Sequence, residues 1–244
     1  MNIRKENAKR THDLFYLGTS KTEAPKESFI KIGDLIDDYK KRIQKELIIA
    51  DMGCAVGALP AYLSKRFNQD KIIGYEYLEV LVNAAKANFP NITFYQASVL
   101  NEDAIAESSL DVLTMNGVAS LFDDVEPIIK NVSRWIKTNG KLYMHQMFNP
   151  YEVDVYITYR DSKKYGINQF ETGWNIISQK SFSNLLIKYG GKNIKFHEFN
   201  ISVDLEKKLD DPIRSWTEKL FDGRRQIVNA LCIKQPQYIL EVDF

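Results

Sequence analysis

The segment from Leu47 to Leu59, LIIADMGCAVGAL, constrains the fold more than any other part of the chain. A short apolar run ends in an acid, Asp51, and two glycines, Gly53 and Gly57, then frame a turn into a helical pattern. Apolar runs of this length are typical of strands that are buried on both faces. The glycines leave room for a ligand to approach the backbone closely. The segment therefore predicts a buried strand, a ligand-binding turn and a helix.

Strand and helix patterns continue to alternate after this segment. Each predicted strand is a short apolar run, and each predicted helix carries apolar residues every three or four positions. The strands are predicted at 47–50, 71–75, 92–95, 110–115 and 141–147, and the helices at 58–67, 78–89 and 125–136. Asn139 and Gly140 are predicted to close the third helix. This alternation is typical of a mostly parallel sheet with helices on both faces, so we predict an α/β fold.

The regions outside this core divide the chain further. Residues 1–45 are predicted to form an N-terminal helical lid, and residues 46–244 to form one domain. Two stretches, at about 150–175 and 202–237, break the pattern and are predicted to be insertions. The other predicted elements are helices at 12–17, 29–39 and 182–189 and strands at 194–201 and 238–242.

The spacing of the glycines separates two classes of ligand. Dinucleotide-binding turns use G-x-G-x-x-G, whose second glycine admits a pyrophosphate. Here Ala55 takes that position, and the pattern D-x-G-x-x-x-G suits S-adenosylmethionine, which has no phosphate. Asp51 would favour the cationic groups of that ligand. Taken alone, the glycine pair would favour a plain tight turn over a ligand-binding turn.

A second acid strengthens the ligand interpretation. Glu76 ends the second strand, 19 residues after Gly57, where an acid accepts the ribose hydroxyls in folds of this kind. Tyr77 follows it and is placed to pack on the adenine. The order of strand, acid, glycines, helix, strand and acid favours a nucleoside site over a simple turn.

Three segments resemble the class I S-adenosylmethionine-dependent methyltransferases. DMGCAVGAL resembles the first motif of that family, GYEYLEVLVNAAK the segment after it, and LDVLTMNGVASLFDD the fourth-strand motif. The resemblance covers roughly residues 45–150 well and the closing strands loosely. It implies a Rossmann-like, seven-stranded, mostly parallel sheet whose last strand is antiparallel.

The resemblance also implies which residues hold the methyl donor, S-adenosylmethionine. They fall into four groups: Asp51, Gly53, Cys54 and Gly57 for the methionine part; Glu76 and Tyr77 for the ribose and adenine; Ala97, Ser98 and Val99 for the adenine; Asn116 and Gly117 beside the sulfur. Ser98 stands where the family often has an acid that receives the adenine amino group. We therefore expect a weaker contact with that group here.

A hydroxyl acceptor needs a base to take its proton during methyl transfer, and histidine is suited to that role. His145, on or just after the fifth strand, is the first candidate for this general base, and His12 in the N-terminal lid is the second. For His145 the alternative is a structural histidine with satisfied hydrogen bonds. His197 is predicted to be structural.

The C-terminal part of the chain supplies candidate acceptor residues. The tail from Trp216 onward resembles that of a bacterial subgroup associated with surface-polysaccharide and small-metabolite methylation. By that resemblance Arg225 and Asn229 face the acceptor, and Arg225 with its neighbour Arg224 would pair with a phosphate or carboxylate. A solvated pair of charges is the alternative for these arginines. Tyrosines are a further group that either lines the acceptor pocket or packs within a lid: Tyr151, Tyr156, Tyr159 and Tyr165.

The leading hypothesis is methyl transfer to a small molecule, with a hydroxyl of a sugar or nucleotide-sugar as acceptor. A small amine is the first alternative, and a non-catalytic binding protein on the same fold is the second. The missing central glycine argues against a nicotinamide-dependent oxidoreductase. No metal is expected in the site.

Charge and hydropathy disfavour other partners. The 33 basic and 32 acidic residues give a net charge of +1, so no strong field attracts nucleic acid. No apolar run approaches the roughly 20 residues that span a bilayer, so no membrane partner is expected. The predicted location is cytoplasmic, and the predicted assembly is a monomer or homodimer.

Overall fold

The structure is a computed structural model that describes residues 11–18, 24–160, 162 and 170–244. Tyr165 lies outside these ranges, as does the side chain of His12, whose backbone belongs to a 3-10 helix, Thr11–Gly18. The helices are α1 (Glu27–Ile43), α2 (Ala58–Arg66), α3 (Glu79–Asn88), α4 (Glu126–Trp135) and α5 (Gln179–Lys188). The strands are β1 (Ile48–Met52), β2 (Lys71–Glu76), β3 (Thr93–Gln96), β4 (Leu110–Asn116), β5 (Ile136–Asn149), β6 (Thr158–Tyr159), β7 (Glu171–Thr172), β8 (Ile177–Ser178), β9 (Lys192–Glu198), β10 (Trp216–Lys219), β11 (Arg225–Val228) and β12 (Gln237–Asp243).

Seven strands form the main sheet in the order β3-β2-β1-β4-β5-β12-β9, and the short β8 pairs with the end of β5. The strands from β3 to β5 run parallel to their neighbours, whereas β12 is antiparallel to both β5 and β9. The predicted α/β fold, with a mostly parallel sheet and an antiparallel last strand, is therefore confirmed. The carboxyl ends of four neighbouring parallel strands meet at one edge, where open sheets of this type bind ligands.

Helices cover both faces of the sheet. On one face Ile32 and Ile36 of α1 pack with Leu63 of α2 and Tyr143 of β5, and all four are completely or almost completely buried. Each such aliphatic side chain contributes about 1.5–3 kcal/mol by leaving water. Truncation of Ile36 to alanine would cost about 2–5 kcal/mol. On this face α1 is thus part of the core.

The opposite face is covered by α4 and α5. Trp135 and Phe182 are fully buried there, and the indole Nε1 of Trp135 donates to the carbonyl oxygen of Glu102 at 2.9 Å. This hydrogen bond satisfies the one polar atom of a large buried side chain, as burial requires.

The end of α4 differs from the prediction. The helix stops at Trp135, because Ile136 already pairs with Leu110 as the first residue of β5. The apolar spacing that favoured a longer helix is satisfied equally well by this strand, since Ile136 is buried in either case. Asn139 instead takes a left-handed conformation, with φ 67°, where the pairing of β5 with β4 shifts register.

The two stretches predicted as insertions fold outside the main sheet. β6 and β7 form a small antiparallel ladder, and an isolated bridge joins Val155 to Ile176. β10 and β11 form an antiparallel hairpin. The second stretch meets α1 where the Ser202 amide donates to Glu27 at 2.8 Å. Among the described residues, no helix has the length and apolarity to cross a membrane.

Candidate functional site

The candidate site lies at the edge where β1, β2, β3 and β4 end. The register places Met52 beside Tyr75 of β2 and Met115 of β4, and Glu76 beside Gln96 of β3. The ends of these strands and the loops that follow them carry the residues predicted to bind the methyl donor. The fold therefore brings these residues to a common edge: Asp51, Gly53, Cys54, Gly57, Glu76, Tyr77, Ala97, Ser98, Val99, Asn116 and Gly117.

The turn after β1 is held against the end of β2. The backbone N–H groups of Gly53 and Cys54 both donate to the carbonyl oxygen of Tyr75, at 2.7 and 3.0 Å. Gly53 has φ 79°, and a Cβ atom there would lie 2.2 Å from a methyl carbon of Val118. Any side chain at position 53 would thus be strained and would push away the loop that follows β4.

Space remains open next to Gly117, at the end of β4. This residue has φ 70°, and a Cβ atom built on it would find no heavy atom within 4 Å. The resemblance places the sulfur of the donor beside this position. The bare backbone therefore meets the need for close approach by a ligand.

Glu76 is buried, and its carboxylate is oriented by backbone groups. Oε2 accepts from Ala55 N at 3.0 Å, and Oε1 accepts from Leu78 N at 2.9 Å. Burial raises the pKa of Glu76, and these backbone hydrogen bonds oppose that shift. The backbone N–H of Tyr77 is a third donor to this carboxylate, which still leaves acceptor capacity for a ribose hydroxyl.

Asp51 is a second buried carboxyl group at the same edge. Thr114 of β4 donates to its Oδ1 at 2.8 Å. Burial raises the pKa of Asp51 to about 7, and the charge of Glu76 contributes in the same direction. Within the described ranges no basic side chain forms an ion pair with Asp51 or Glu76. Two buried carboxyl groups without a cation fit a positively charged sulfonium and ammonium ligand.

The loop after β3, predicted to receive the adenine, is held by hydrogen bonds to its neighbours. Ala97 N donates to the carbonyl oxygen of Glu76 at 2.9 Å, and Ser98 Oγ accepts from Leu100 N at 3.0 Å. The carbonyl oxygen of Val99 accepts from the buried amide of Asn131 at 2.9 Å. Sequence reasoning missed Asn131. Its signal was a polar residue inside the apolar stripe of α4.

Two further donor-site residues differ in exposure. Tyr77 is 39% exposed, so part of its surface is accessible to a ligand. Cys54 is buried, and burial raises the pKa of its thiol, so that it stays protonated. Gly57 caps the amino end of α2, and its N–H donates to the carbonyl oxygen of Cys54 at 2.9 Å.

His145 lies directly beside Asn116 in the pairing of β4 with β5. The backbone N–H of His145 donates to Asn116 Oδ1 at 3.2 Å, and its backbone carbonyl oxygen accepts from Gly117 N at 2.9 Å. Its ring meets Phe199 edge-on, with 4.9 Å between centroids. The Nε2 atom is buried and has no hydrogen-bond partner among the described residues, which costs about 1–3 kcal/mol. Burial, followed by the charge of Lys26, lowers the pKa of His145 to about 4, so the ring is neutral near pH 7.

Lys26, whose charge acts on this histidine, and Arg214, whose charge acts on Lys26, are two cations that sequence reasoning did not single out. The Lys26 ammonium lies 5.4 Å from the Phe29 ring centroid and 5.9 Å from that of Tyr16. The Arg214 guanidinium carbon lies 3.3 Å from the Phe15 ring centroid. No local pattern marks either residue, because almost the whole chain separates them and only the fold brings them together.

The predicted acceptor residues make local contacts within the two insertions. Arg225 Nε lies 2.8 Å from Asp204, and the buried Asn229 amide donates to Ile213 O at 3.0 Å. Trp216 Nε1 donates to Glu218 at 3.2 Å.

The tyrosines of the first insertion also differ in their surroundings. Tyr151 is 75% exposed, and its N–H donates to Asn149 Oδ1 at 3.1 Å. Tyr156 is exposed as well, whereas the Tyr159 hydroxyl donates to Glu171 at 2.8 Å.

Residues 50–144 match the sequence profile of the methyltransferase domain family. A search of curated proteins finds no sequence match to this chain. The matched range runs from the end of β1 into β5 and so contains nearly all of the edge described above.

Solved structures with similar folds include several methyltransferases. A protein from Methanosarcina mazei described as an S-adenosylmethionine-dependent methyltransferase has 14% identity and a TM-score of 0.58, over 86% of this chain and 96% of its own. The Bacillus subtilis YcgJ protein has 11% identity and a TM-score of 0.55, over 81% and 92%. An S-adenosylmethionine-dependent methyltransferase from Mesorhizobium loti has 14% identity and a TM-score of 0.52, over 82% and 91%. At these identities the likeness shows a shared fold.

Proposed function

We propose that this chain, whose residues 50–144 match the methyltransferase domain family, is a class I S-adenosylmethionine-dependent methyltransferase that methylates a hydroxyl of a small molecule. A sugar or nucleotide-sugar is the leading acceptor. One observation carries the proposal. His145 pairs with Asn116, beside the expected position of the donor's sulfur, and its Nε2 atom has no hydrogen-bond partner among the described residues.

The donor is held by the four loops at the edge of the sheet. Glu76 accepts the ribose hydroxyls, Asp51 favours the cationic methionine part, and the loop at 97–99 receives the adenine. When bound, S-adenosylmethionine supplies a methyl carbon whose bond to sulfur breaks as its bond to the acceptor forms, leaving a neutral thioether. The protein must therefore position the acceptor and receive its proton.

His145 is the proposed proton acceptor. Its ring is neutral near pH 7, and in the tautomer that is protonated at Nδ1 the Nε2 atom carries a lone pair that takes the hydroxyl proton as the oxygen attacks the methyl carbon. The hydrogen bond from His145 N to Asn116 Oδ1 fixes the backbone of the base relative to the fourth-strand motif. His12 is the second candidate base, in the short 3-10 helix before α1.

A small amine is the second candidate acceptor. The pKa of about 4 makes His145 a weak base, and a neutral amine attacks a methyl sulfonium without prior loss of a proton. The two acceptors differ in their dependence on the base. Removal of the imidazole would slow transfer to a hydroxyl by about 10²–10⁴-fold and leave transfer to a neutral amine largely intact.

The experiment that tests the proposal uses donor labelled in its methyl group. The full chain is incubated with this donor and a small-molecule extract, and labelled products are separated and identified. We expect the label on an oxygen atom of a sugar-containing product, and we expect methyl transfer to be lost in Glu76→Ala. Label on nitrogen would favour a small amine as the acceptor. Binding of the donor without any methyl transfer would favour a non-catalytic protein.

A further inference from the structure

Lys26 carries a positive charge that the described part of the chain does not neutralise. The residue is exposed, but its ammonium lies against the rings of Phe29 and Tyr16. Within the described ranges, no carboxylate lies within 4 Å of it. Desolvation lowers the pKa of Lys26, and the charge of Arg214 adds to that effect. A cation held between rings and next to a second cation is stabilised by a bound anion.

Arg214 approaches the same place from the second insertion. Its guanidinium stacks on Phe15, the residue next to Tyr16 in the 3-10 helix. Asp211 lies 3.6 Å from its Nε atom, and the Arg214 side chain is 29% exposed. A guanidinium in this state keeps donors for a planar, bidentate partner such as a carboxylate or phosphate.

Residues 199–202 connect the surroundings of His145 to those of Lys26. Phe199 contacts the His145 ring, and three residues later the Ser202 amide donates to Glu27, the neighbour of Lys26. Residues 199–202 therefore contact both His145 and the residue next to Lys26. The charge of Lys26 also reaches the imidazole, since it contributes to the lowered pKa of His145.

The arginines of the β10–β11 hairpin contrast with this pair. Arg225 is paired with Asp204 at 2.8 Å, and Arg224 with Asp222 at 2.7 Å. Their charges are already balanced by acids in their own insertion. An anion gains less from these partnered arginines than from Lys26 and Arg214.

We propose that Lys26 and Arg214 bind an anionic group, a carboxylate or a phosphate, of the acceptor and so hold its reactive hydroxyl next to His145. The proposal rests on the proposed methyltransferase function and narrows its acceptor to an anion, such as a sugar phosphate, a nucleotide-sugar or a uronic acid. The anion offsets the repulsion between the two cations, which explains why the fold places them together.

The test uses the full chain, methyl-labelled donor and a small-molecule extract, with the products separated by anion exchange at neutral pH. The expected result is labelled product retained on the anion exchanger. Phosphatase and phosphodiesterase treatment of this fraction then distinguishes the two chemistries. Release of the label from the resin indicates a phosphate, and continued retention indicates a carboxylate.

Two variants connect the product to the residues. Lys26→Met and Arg214→Gln keep most of each side chain but remove its charge, and each is expected to raise the KM for the purified acceptor at least tenfold. The dissociation constant of S-adenosylhomocysteine, measured by calorimetry, should stay within twofold of wild type and so shows that the donor site is folded. Lys41→Met and Arg134→Gln, which remove exposed charges elsewhere, serve as matched controls and should leave the KM unchanged.

Each other outcome overturns a distinct statement. Label in the neutral or cationic fraction overturns the anionic acceptor while the methyltransferase function stands. An anionic product with wild-type KM in both Lys26→Met and Arg214→Gln overturns the assignment of these two residues. Donor binding without any transfer overturns the proposed function itself, and the acceptor site that depends on it.

Discussion

The backbone N–H of Ala55 donates a 3.0 Å hydrogen bond to Oε2 of Glu76 and so ties the turn after β1 to the end of β2. Ala55 occupies a left-handed conformation, with φ 48°, that alanine rarely adopts. The carboxylate predicted to hold the ribose therefore also fixes the shape of the turn predicted to hold the methionine part. The two halves of the donor site depend on one side chain.

Replacement of Glu76 tests this dual role. In Glu76→Ala, the ribose loses its acceptor and the buried Ala55 N–H loses its partner, so the dissociation constant of S-adenosylhomocysteine should rise about 10–100-fold. The free energy of unfolding should fall by about 1–3 kcal/mol. Calorimetric titration and urea unfolding measure the two effects.

The control for this change is Glu79→Gln, an exposed acid at the start of α3. It should leave both affinity and stability near wild type. Unchanged affinity in Glu76→Ala would show that the ribose is bound by another group.

Ala55→Gly tests the strain in the turn. Glycine adopts a positive φ without the cost of about 1–2 kcal/mol that alanine bears, although its freer unfolded chain offsets about 0.4–1 kcal/mol. The net expectation is a more stable protein, with a Tm higher by about 1–4 °C. Ala58→Gly, at the start of α2, should instead lower the Tm, because glycine is less favourable in helices. A lower Tm in Ala55→Gly would contradict the left-handed assignment.

The raised pKa of Asp51 predicts how stability depends on pH. The folded protein keeps this proton up to about pH 7, whereas the unfolded chain loses it near its ordinary value of 3.8. Between these values the folded state binds more protons, so the contribution of Asp51 to the free energy of unfolding falls as pH rises. The slope is at most about 1.4 kcal/mol per pH unit, and the contribution levels off above pH 7.

Asp51→Asn removes this dependence. Relative to wild type, the ligand-free variant should gain stability progressively from pH 4 to pH 7, by up to about 4 kcal/mol. Denaturant unfolding at several pH values measures the difference, with the exposed Asp38→Asn as the control. A constant difference between wild type and Asp51→Asn across this range would show that Asp51 titrates normally.

His145→Ala tests the proposed base. Transfer to a hydroxyl acceptor should slow by about 10²–10⁴-fold, because general-base catalysis is lost while the donor site is intact. The affinity for S-adenosylhomocysteine should not change. His197→Gln is the matched control, since His197 lies on β9 with its Nε2 atom 3.0 Å from Glu241. Equal slowing in both variants would indicate a structural rather than a catalytic effect.

Much of the fold and of the donor site follows from local sequence. Apolar runs such as Leu110 to Met115 and the Asp51–Gly57 turn encode strands and a tight bend within a few residues, and the structure reproduces both. The parallel direction of the first five strands follows from their alternation with helices. Ile136 marks where this reasoning fails, because a buried position satisfies helix and strand periodicity alike.

The acceptor side could not be read from local sequence. The proposed acceptor residues come from three distant parts of the chain: Lys26, His145 and Arg214. The charge of Lys26 acts on the other two only after the sheet and the second insertion have folded. The acidic partner of Arg225 could not be predicted either, because Asp204 lies in a stretch with no periodic pattern. Long-range contacts between irregular segments leave no repeating signal in a single sequence.

The central claim is that S-adenosylmethionine binds at the carboxyl edge of β1, β2, β3 and β4. A crystal structure of the chain with S-adenosylhomocysteine tests it most directly. The account predicts ribose hydroxyls within hydrogen-bonding distance of the Glu76 carboxylate and the sulfur in the open space beside Gly117. A ligand bound elsewhere, or a side chain filling the space beside Gly117, would contradict it.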